Sequence, residues 1–180
     1  MGEETMDTKR IISTALLDLL KDHRFDDITV QDVIEKAHVS RSTFYRHFED
    51  KYELMTWHYQ DYLDTLTNVS SFDSWRKNLV LALSFLQANS SYYKKVLKTS
   101  DGEALWKQIY DHSYKVFINF YEANFPEAFQ DPDTILRIKF YCYGSTDLAC
   151  EWLRDGCPVD AEKFADILTD FVPPRLRGRV

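Results

Sequence analysis

Apolar residues recur along this chain at intervals of three and four, and no stretch alternates apolar with polar as a half-buried strand does. The pattern predicts an all-α fold of about nine helices. A first helix is expected from Asp7 to His23, with Ile12, Ala15, Leu16, Leu19 and Leu20 on one face. His23 should close it, where positive charge is favourable. Phe25 to Ile28 reads as a turn. Thr29 then reads as an N-cap, with Asp32 placed for a capping box. A short helix follows over Val30 to Ala37, with Val33, Ile34 and Ala37 inward. His38-Val39 makes a tight turn, and Ser40 caps a helix from Arg41 to Phe48 whose Phe44 and Phe48 face inward. Glu49-Asp50 leads into a fourth helix, Lys51 to about Thr67.

Beyond this the elements are longer. Ser70 to Ser74 reads as a linker with an N-cap, then a helix from Trp75 to Ala88 carries Leu79, Leu83 and Leu86 on its apolar side. Asn89-Ser90-Ser91 interrupts it before a short helix over Tyr92 to Lys98. Long helices are expected over Glu103 to Asn124 and Asp133 to Arg154, with a loop from Pro126 to Pro132 between them. Gly156 and Pro158 stop the second of these. A last helix covers Asp160 to Phe171. The basic tail after Pro173-Pro174 reads as a loose terminus.

Two short helices joined by a tight turn, after a longer one, form a helix-turn-helix unit. The second of the pair must lie in a major groove, so its outer face needs donors and slim side chains. Arg41, Ser42, Thr43, Tyr45, Arg46 and His47 supply them. Thr29, Gln31 and Lys51 sit at helix starts, where phosphates are bound. Net charge opposes this reading: 22 Lys and Arg against 29 Asp and Glu give −7. The answer is local, because Lys36 to Phe48 carries Lys36, Arg41 and Arg46 and no acid.

The stretch ITVQDVIEKAHVSRSTFYRHFEDKYEL, Ile28 to Leu54, resembles the signature of TetR-type regulators, T-V-x-x-I/V-x-x-x-A-x-V-S/T-x-G/S-T-F/L-Y-x-H/Y-F-x-x-K-x-x-L. The resemblance implies a DNA-binding domain over residues 1–52, a connecting fourth helix, and a C-terminal dimerisation and effector domain over 68–180. It implies a homodimer on a palindromic operator, acting as a repressor released by a small-molecule effector. Thr29, Lys51 and Tyr45 should meet phosphates, and Arg41, Ser42 and Thr43 base edges. Arg46 and His47 are further backbone contacts. His38 stands where the family commonly has Gly, Ile34 where a small Ala is frequent, and Ser42 where Gly is common.

In such chains the last two helices pair with those of a second subunit. Tyr141, Gly144, Leu148 and Trp152, with Phe164, Ile167, Leu168 and Phe171, are candidates, the alternative being packing within one subunit. Trp75, Phe85, Tyr92, Tyr93, Trp106, Tyr110, Tyr114, Phe117 and Tyr141 either line an effector pocket or fill the core. Gly144 to Pro158 is similar to the G-x(7)-W-L-x-x-G-x-P ending of the TetR subgroup that includes dihydroxyacetone-kinase operon regulators. There a protein partner carries the ligand, so a protein coregulator is the alternative to a small effector.

Other chemistry finds little support. No G-x-S-x-G elbow and no Gly-rich phosphate loop occur. Cys142, Cys150 and Cys157 lack zinc-site spacing, and His23, His38, His47, His58 and His112 are scattered. No enzyme activity, cofactor or metal is expected. Three cysteines, a polar acidic start and no long apolar stretch suit a cytoplasmic protein without membrane contact.

Overall fold

Helix starts in this chain are set by short oxygen-bearing side chains. The computed structural model describes residues 2–66, 71–98, 102–127 and 131–173. Among them are nine α-helices and no strand: α1 (Gly2–Leu20), α2 (Val30–Ala37), α3 (Arg41–His47), α4 (Lys51–Thr65), α5 (Phe72–Ala88), α6 (Ser90–Val96), α7 (Gly102–Asn124), α8 (Pro132–Arg154) and α9 (Ala161–Thr169). Thr29, Ser40, Ser71, Asp131 and Asp160 each accept a backbone N–H of the first turn of α2, α3, α5, α8 and α9. The basic tail after Pro174, Ser70 and the middle of the loop before Pro132 lie outside the described residues. Among the described residues no helix is long and apolar enough to cross a membrane.

The chain forms two units, residues 1–62 and 63–180, divided within the helix expected to connect them. In the first, α1 packs on α2 and α2 on α3. Ile12, Leu16, Phe25, Ile28, Val33, Phe44, Phe48, Leu54 and Met55 are buried there. Helix α1 stops at Leu20, short of the expected His23. The His23 backbone N–H still donates to the Leu19 carbonyl at 2.9 Å. A single 3₁₀ turn, Phe25–Asp27, replaces the expected plain turn.

In the second unit α5 packs on α9, and α7 and α6 on α8. Trp75, Phe117, Tyr141, Phe120, Tyr121 and Ile138 form its aromatic core. Helix α8 ends in a left-handed turn at Gly156, φ 82°, and Cys157, φ 57°. Their N–H groups close on the Leu153 and Trp152 carbonyls at 3.1 and 2.8 Å, as the glycine stop predicts. Beyond the turn the Val159 carbonyl accepts the Trp152 indole N–H at 2.9 Å. The Arg76 guanidinium ties α5 to α9 through Asp166, at 2.6 and 2.9 Å.

Candidate nucleic-acid interface

The sequence dictates the shape of the reader in three steps. Thr29 and Asp32 cap α2 reciprocally: the Asp32 N–H donates to Thr29 Oγ1 at 3.2 Å, and the Thr29 N–H to the Asp32 carboxylate at 2.7 Å. The Thr29 hydroxyl also donates to that carboxylate, at 2.7 Å, and these bonds lower the Asp32 pKa. Helix α2 then ends on His38, held left-handed at φ 53°, ψ 38°. The His38 N–H donates to the Glu35 carbonyl and the Val39 N–H to that of Ile34, both at 3.2 Å, closing the last turn before α3 begins.

Helix α3 turns two faces outward and inward. Phe44 and Phe48 are buried and pack with tilted rings, centroids 6.0 Å apart. Arg41, Ser42, Tyr45 and Arg46 lie on the opposite side by helical spacing, and all are exposed. The Arg41 guanidinium sits over the Tyr45 ring at 5.6 Å, so a cation and a phenol hydroxyl share one patch. This is a solvent-facing surface of donors on a helix anchored from behind.

The remaining expected contacts are placed differently. Thr43 and His47 are half-buried at the flank of α3. Burial, then Arg46 and Lys9, push the His47 imidazole below its ordinary pKa. Gln31 is exposed on α2 and donates to Glu35 at 2.9 Å. Lys51 departs most from expectation. Its ammonium donates to the carbonyls of Phe25, Asp26 and Ile28 at 2.8, 3.2 and 2.6 Å, and lies 4.8 Å from the Phe25 ring. An ammonium has three hydrogens. All three point to carbonyls within the fold, so Lys51 braces the α1–α2 turn. The Thr29 hydroxyl hydrogen is likewise spent on Asp32.

The expected second-unit sites separate by burial. Trp75, Tyr92, Tyr93, Phe117 and Tyr141 fill the core, while Phe85, Trp106, Tyr110 and Tyr114 are half-buried. Trp106, Tyr110 and Tyr114 stack along α7 with centroids 5.1 and 6.0 Å apart, and Tyr143 of α8 joins them. Burial, then Tyr143, pushes the Tyr110 phenol up to about 12. Of the expected dimer stripe, Trp152, Phe164 and Leu168 point inward, with Trp152 and Phe164 stacked at 4.9 Å. These three pack within the subunit, the alternative the sequence left open. Gly144, Leu148, Ile167 and Phe171 are exposed, and a Cβ added at Gly144 would meet nothing within 4 Å.

Periodicity missed three residues on that face: Leu136, Phe140 and Tyr143, exposed by 63%, 83% and 49%. With Phe171, Val172 and Pro173 they line an open groove of about 660 Å³ bordered by Arg137 and Lys139. The available signal was their spacing from Gly144 and Leu148 on one helical stripe. Among the described residues no group of His, Cys, Asp and Glu is arranged to hold a metal ion.

A three-helix unit with a capped, donor-bearing third helix defines a helix-turn-helix DNA-binding regulator. Comparison with known proteins gives the family. Residues 11–56 match the model described as bacterial regulatory proteins, tetR family, and residues 73–173 that of a transcriptional regulator C-terminal region. The chain belongs to the TetR family, whose members are regulators and not enzymes. It is related to DhaS of Lactococcus lactis subsp. lactis (strain IL1403), described as an HTH-type dhaKLM operon transcriptional activator, at 31% identity over 90 residues, 49% of this chain and 48% of that protein. An uncharacterised HTH-type regulator, YxbF of Bacillus subtilis (strain 168), is 26% identical over 110 residues, 55% of this chain and 29% of that one. The matches thus span about half of the first relative and less than a third of the second. The solved structure of a dihydroxyacetone kinase operon activator DhaS superposes over 96% of this chain and 97% of its own, with TM-score 0.69 and 20% identity. The fatty acid degradation regulator FadR from Bacillus halodurans does so over 91% and 93%, with TM-score 0.52 and 15% identity. These two likenesses concern the fold.

Proposed function

We propose that the chain acts as a homodimer that reads a palindromic operator through two copies of α3. One observation carries the dimer: Leu136, Phe140, Tyr143 and Leu148 of α8 are apolar and exposed, and Phe171 of the same unit lines one groove with the first three. A soluble chain rarely leaves such a patch to water. A two-fold partner covers it with its own copy, since a self-complementary patch closes an assembly of two. Arg41, Ser42 and Thr43 take the base edges, and Tyr45, Arg46, His47 and Gln31 the phosphates, His47 alone of these four being half-buried. Thr29 and Lys51 serve by holding α2 in place.

Selection of bound duplexes from a random pool tests this. A two-fold symmetric consensus, with half-site centres about one helical turn or more apart, supports it. Enrichment of a single unrepeated site sinks the dimer, and no enrichment sinks the reader.

The C-terminal unit is the sensing half. The half-buried rings of Trp106, Tyr110 and Tyr114 offer a small effector an aromatic surface. A second reading has a protein coregulator dock there instead, and the loss of Trp75, Tyr92, Tyr93, Phe117 and Tyr141 to the core favours it. The related DhaS is described as an activator, whereas the family resemblance implies repression. Transcription from the selected operator, measured with and without the chain, separates the two signs.

A further inference from the structure

The hydroxyl groups at the start of α3 are not free to choose their hydrogen-bond roles. Ser40 Oγ accepts the Thr43 backbone N–H at 3.0 Å. It also lies 2.8 Å from Ser42 Oγ and 2.8 Å from Thr43 Oγ1. A hydroxyl has one hydrogen to give and two lone pairs. The Thr43 N–H takes one lone pair. Ser40 can therefore donate to one of its two hydroxyl neighbours and must accept from the other.

We infer that one of Ser42 and Thr43 presents only lone pairs to DNA, and that Ser40, which need touch no base, thereby sets the polarity of one operator position. This rests on the reading of α3 as the base-contacting helix. The acceptor-only hydroxyl has spent its hydrogen on Ser40, so it can be satisfied only by a donor. In the major groove the donors are the exocyclic amino groups of adenine and cytosine, whereas guanine and thymine offer acceptors. Every base pair carries one such amino group, so the restriction concerns strand orientation. The contacted strand carries A or C at that position and the opposite strand carries T or G. The neighbouring hydroxyl, which accepts from Ser40, keeps its own hydrogen and imposes no such restriction.

The test is duplex selection with the full-length wild type and two Ser40 variants that preserve helix capping. Gly at an N-cap costs only a few tenths of a kcal/mol relative to Ser, and Asp caps about as well. The wild type is expected to prefer A or C over T or G about fivefold at one position of each half-site, the scale of one neutral hydrogen bond. Either Ser42→Ala or Thr43→Val abolishes that preference and so identifies the acceptor. In Ser40→Gly the freed hydroxyl can turn and donate, and the preference falls below about twofold. In Ser40→Asp the carboxylate draws hydrogens from both hydroxyls, and the preference is kept or strengthened while overall affinity drops.

A Ser40→Gly protein that keeps the full preference overturns the inference and leaves the reader standing. So does a wild-type consensus in which no position responds to Ser42→Ala or Thr43→Val. Failure of the wild type to enrich any sequence removes the reader itself, and the inference with it.

Discussion

The Lys51 ammonium lies 2.6 Å from the carbonyl oxygen of Ile28, bridging the start of α4 to the last residue before the α2 cap. Phe25 and Asp26 give it two more carbonyls. Lys51→Met removes the charge, keeps most of the stem and takes one charged donor from each of three carbonyls. We expect a loss of about 2 kcal/mol, the scale for hydrogen bonds to a charged group. Urea unfolding measures it. A lysine serving only phosphate would leave the unfolding midpoint unchanged and weaken DNA binding alone.

His38 sits at φ 53°, ψ 38°, where a Cβ is costly. His38→Gly should stabilise the first unit by about 0.5–1 kcal/mol, net of the extra freedom glycine brings to the unfolded chain. A fall in the urea midpoint would show instead that the imidazole makes a contact worth more than the strain.

How much of this was visible in the sequence depended on how local each cause was. Capping and turn chemistry act over three or four residues, so Val30–Ala37, the Thr29–Asp32 box and the turn at His38 could all be read directly. The partners of Lys51 lie 23 to 26 residues away, and no pattern within α4 announces them. Helix α8 is apolar on more than one side. Periodicity could place Trp152 and Leu148 on a helix but could not tell that the indole turns in to Val159 while Leu148 stays exposed. Phe140 was lost for a similar reason, since it precedes Tyr141 and an aromatic pair does not say which ring turns inward.

His112 gives the second unit an acid sensitivity. Burial is the main cause that pushes it from 6.5 down to about 4; Asp64 opposes this and Lys115 adds to it. Among the described residues its buried Nδ1 has no hydrogen-bond partner. The unfolded chain therefore takes up the proton first. The contribution of neutral His112 is complete above about pH 6.5 and is lost as pH falls towards 4. That shift corresponds to roughly 3 kcal/mol. Between about pH 7 and pH 4 the stability of the wild type, measured against that of His112→Phe, should fall by about this amount in total. Parallel curves would remove His112 as the cause.

Arg41 and Arg46 are both exposed on α3, but they should fail differently. Arg41 begins the helix with Ser42, where base edges are met. Arg41→Ala should relax preference at one operator position, at a cost of about 1–3 kcal/mol. Arg46→Ala should weaken all duplexes alike and lower the slope of log affinity against log salt by about one. Titrations at several salt concentrations, on cognate and scrambled duplexes, separate the two. Exchanged outcomes would reverse the assignment of bases and phosphates along the helix.

Phe140, 83% exposed, is the most exposed ring of the α8 face, and Phe171 at 72% lies on the same groove. In a two-fold dimer each substitution is made twice and meets its own copy or a near neighbour. Phe140→Glu places two carboxylates in an apolar interface, where burying an unpaired charge costs several kcal/mol. Within one subunit the side chain stands in water, so subunit stability should change by less than about 0.5 kcal/mol. The expected result is a folded monomer by sedimentation whose affinity for the full palindrome falls roughly a hundredfold or more, because the second reader is no longer tethered. Affinity for an isolated half-site should not change. Leu81→Glu, at a similarly apolar but separate exposed position on α5, serves as the control and should remain dimeric. A Phe140→Glu protein that stays a dimer would move the interface away from α8.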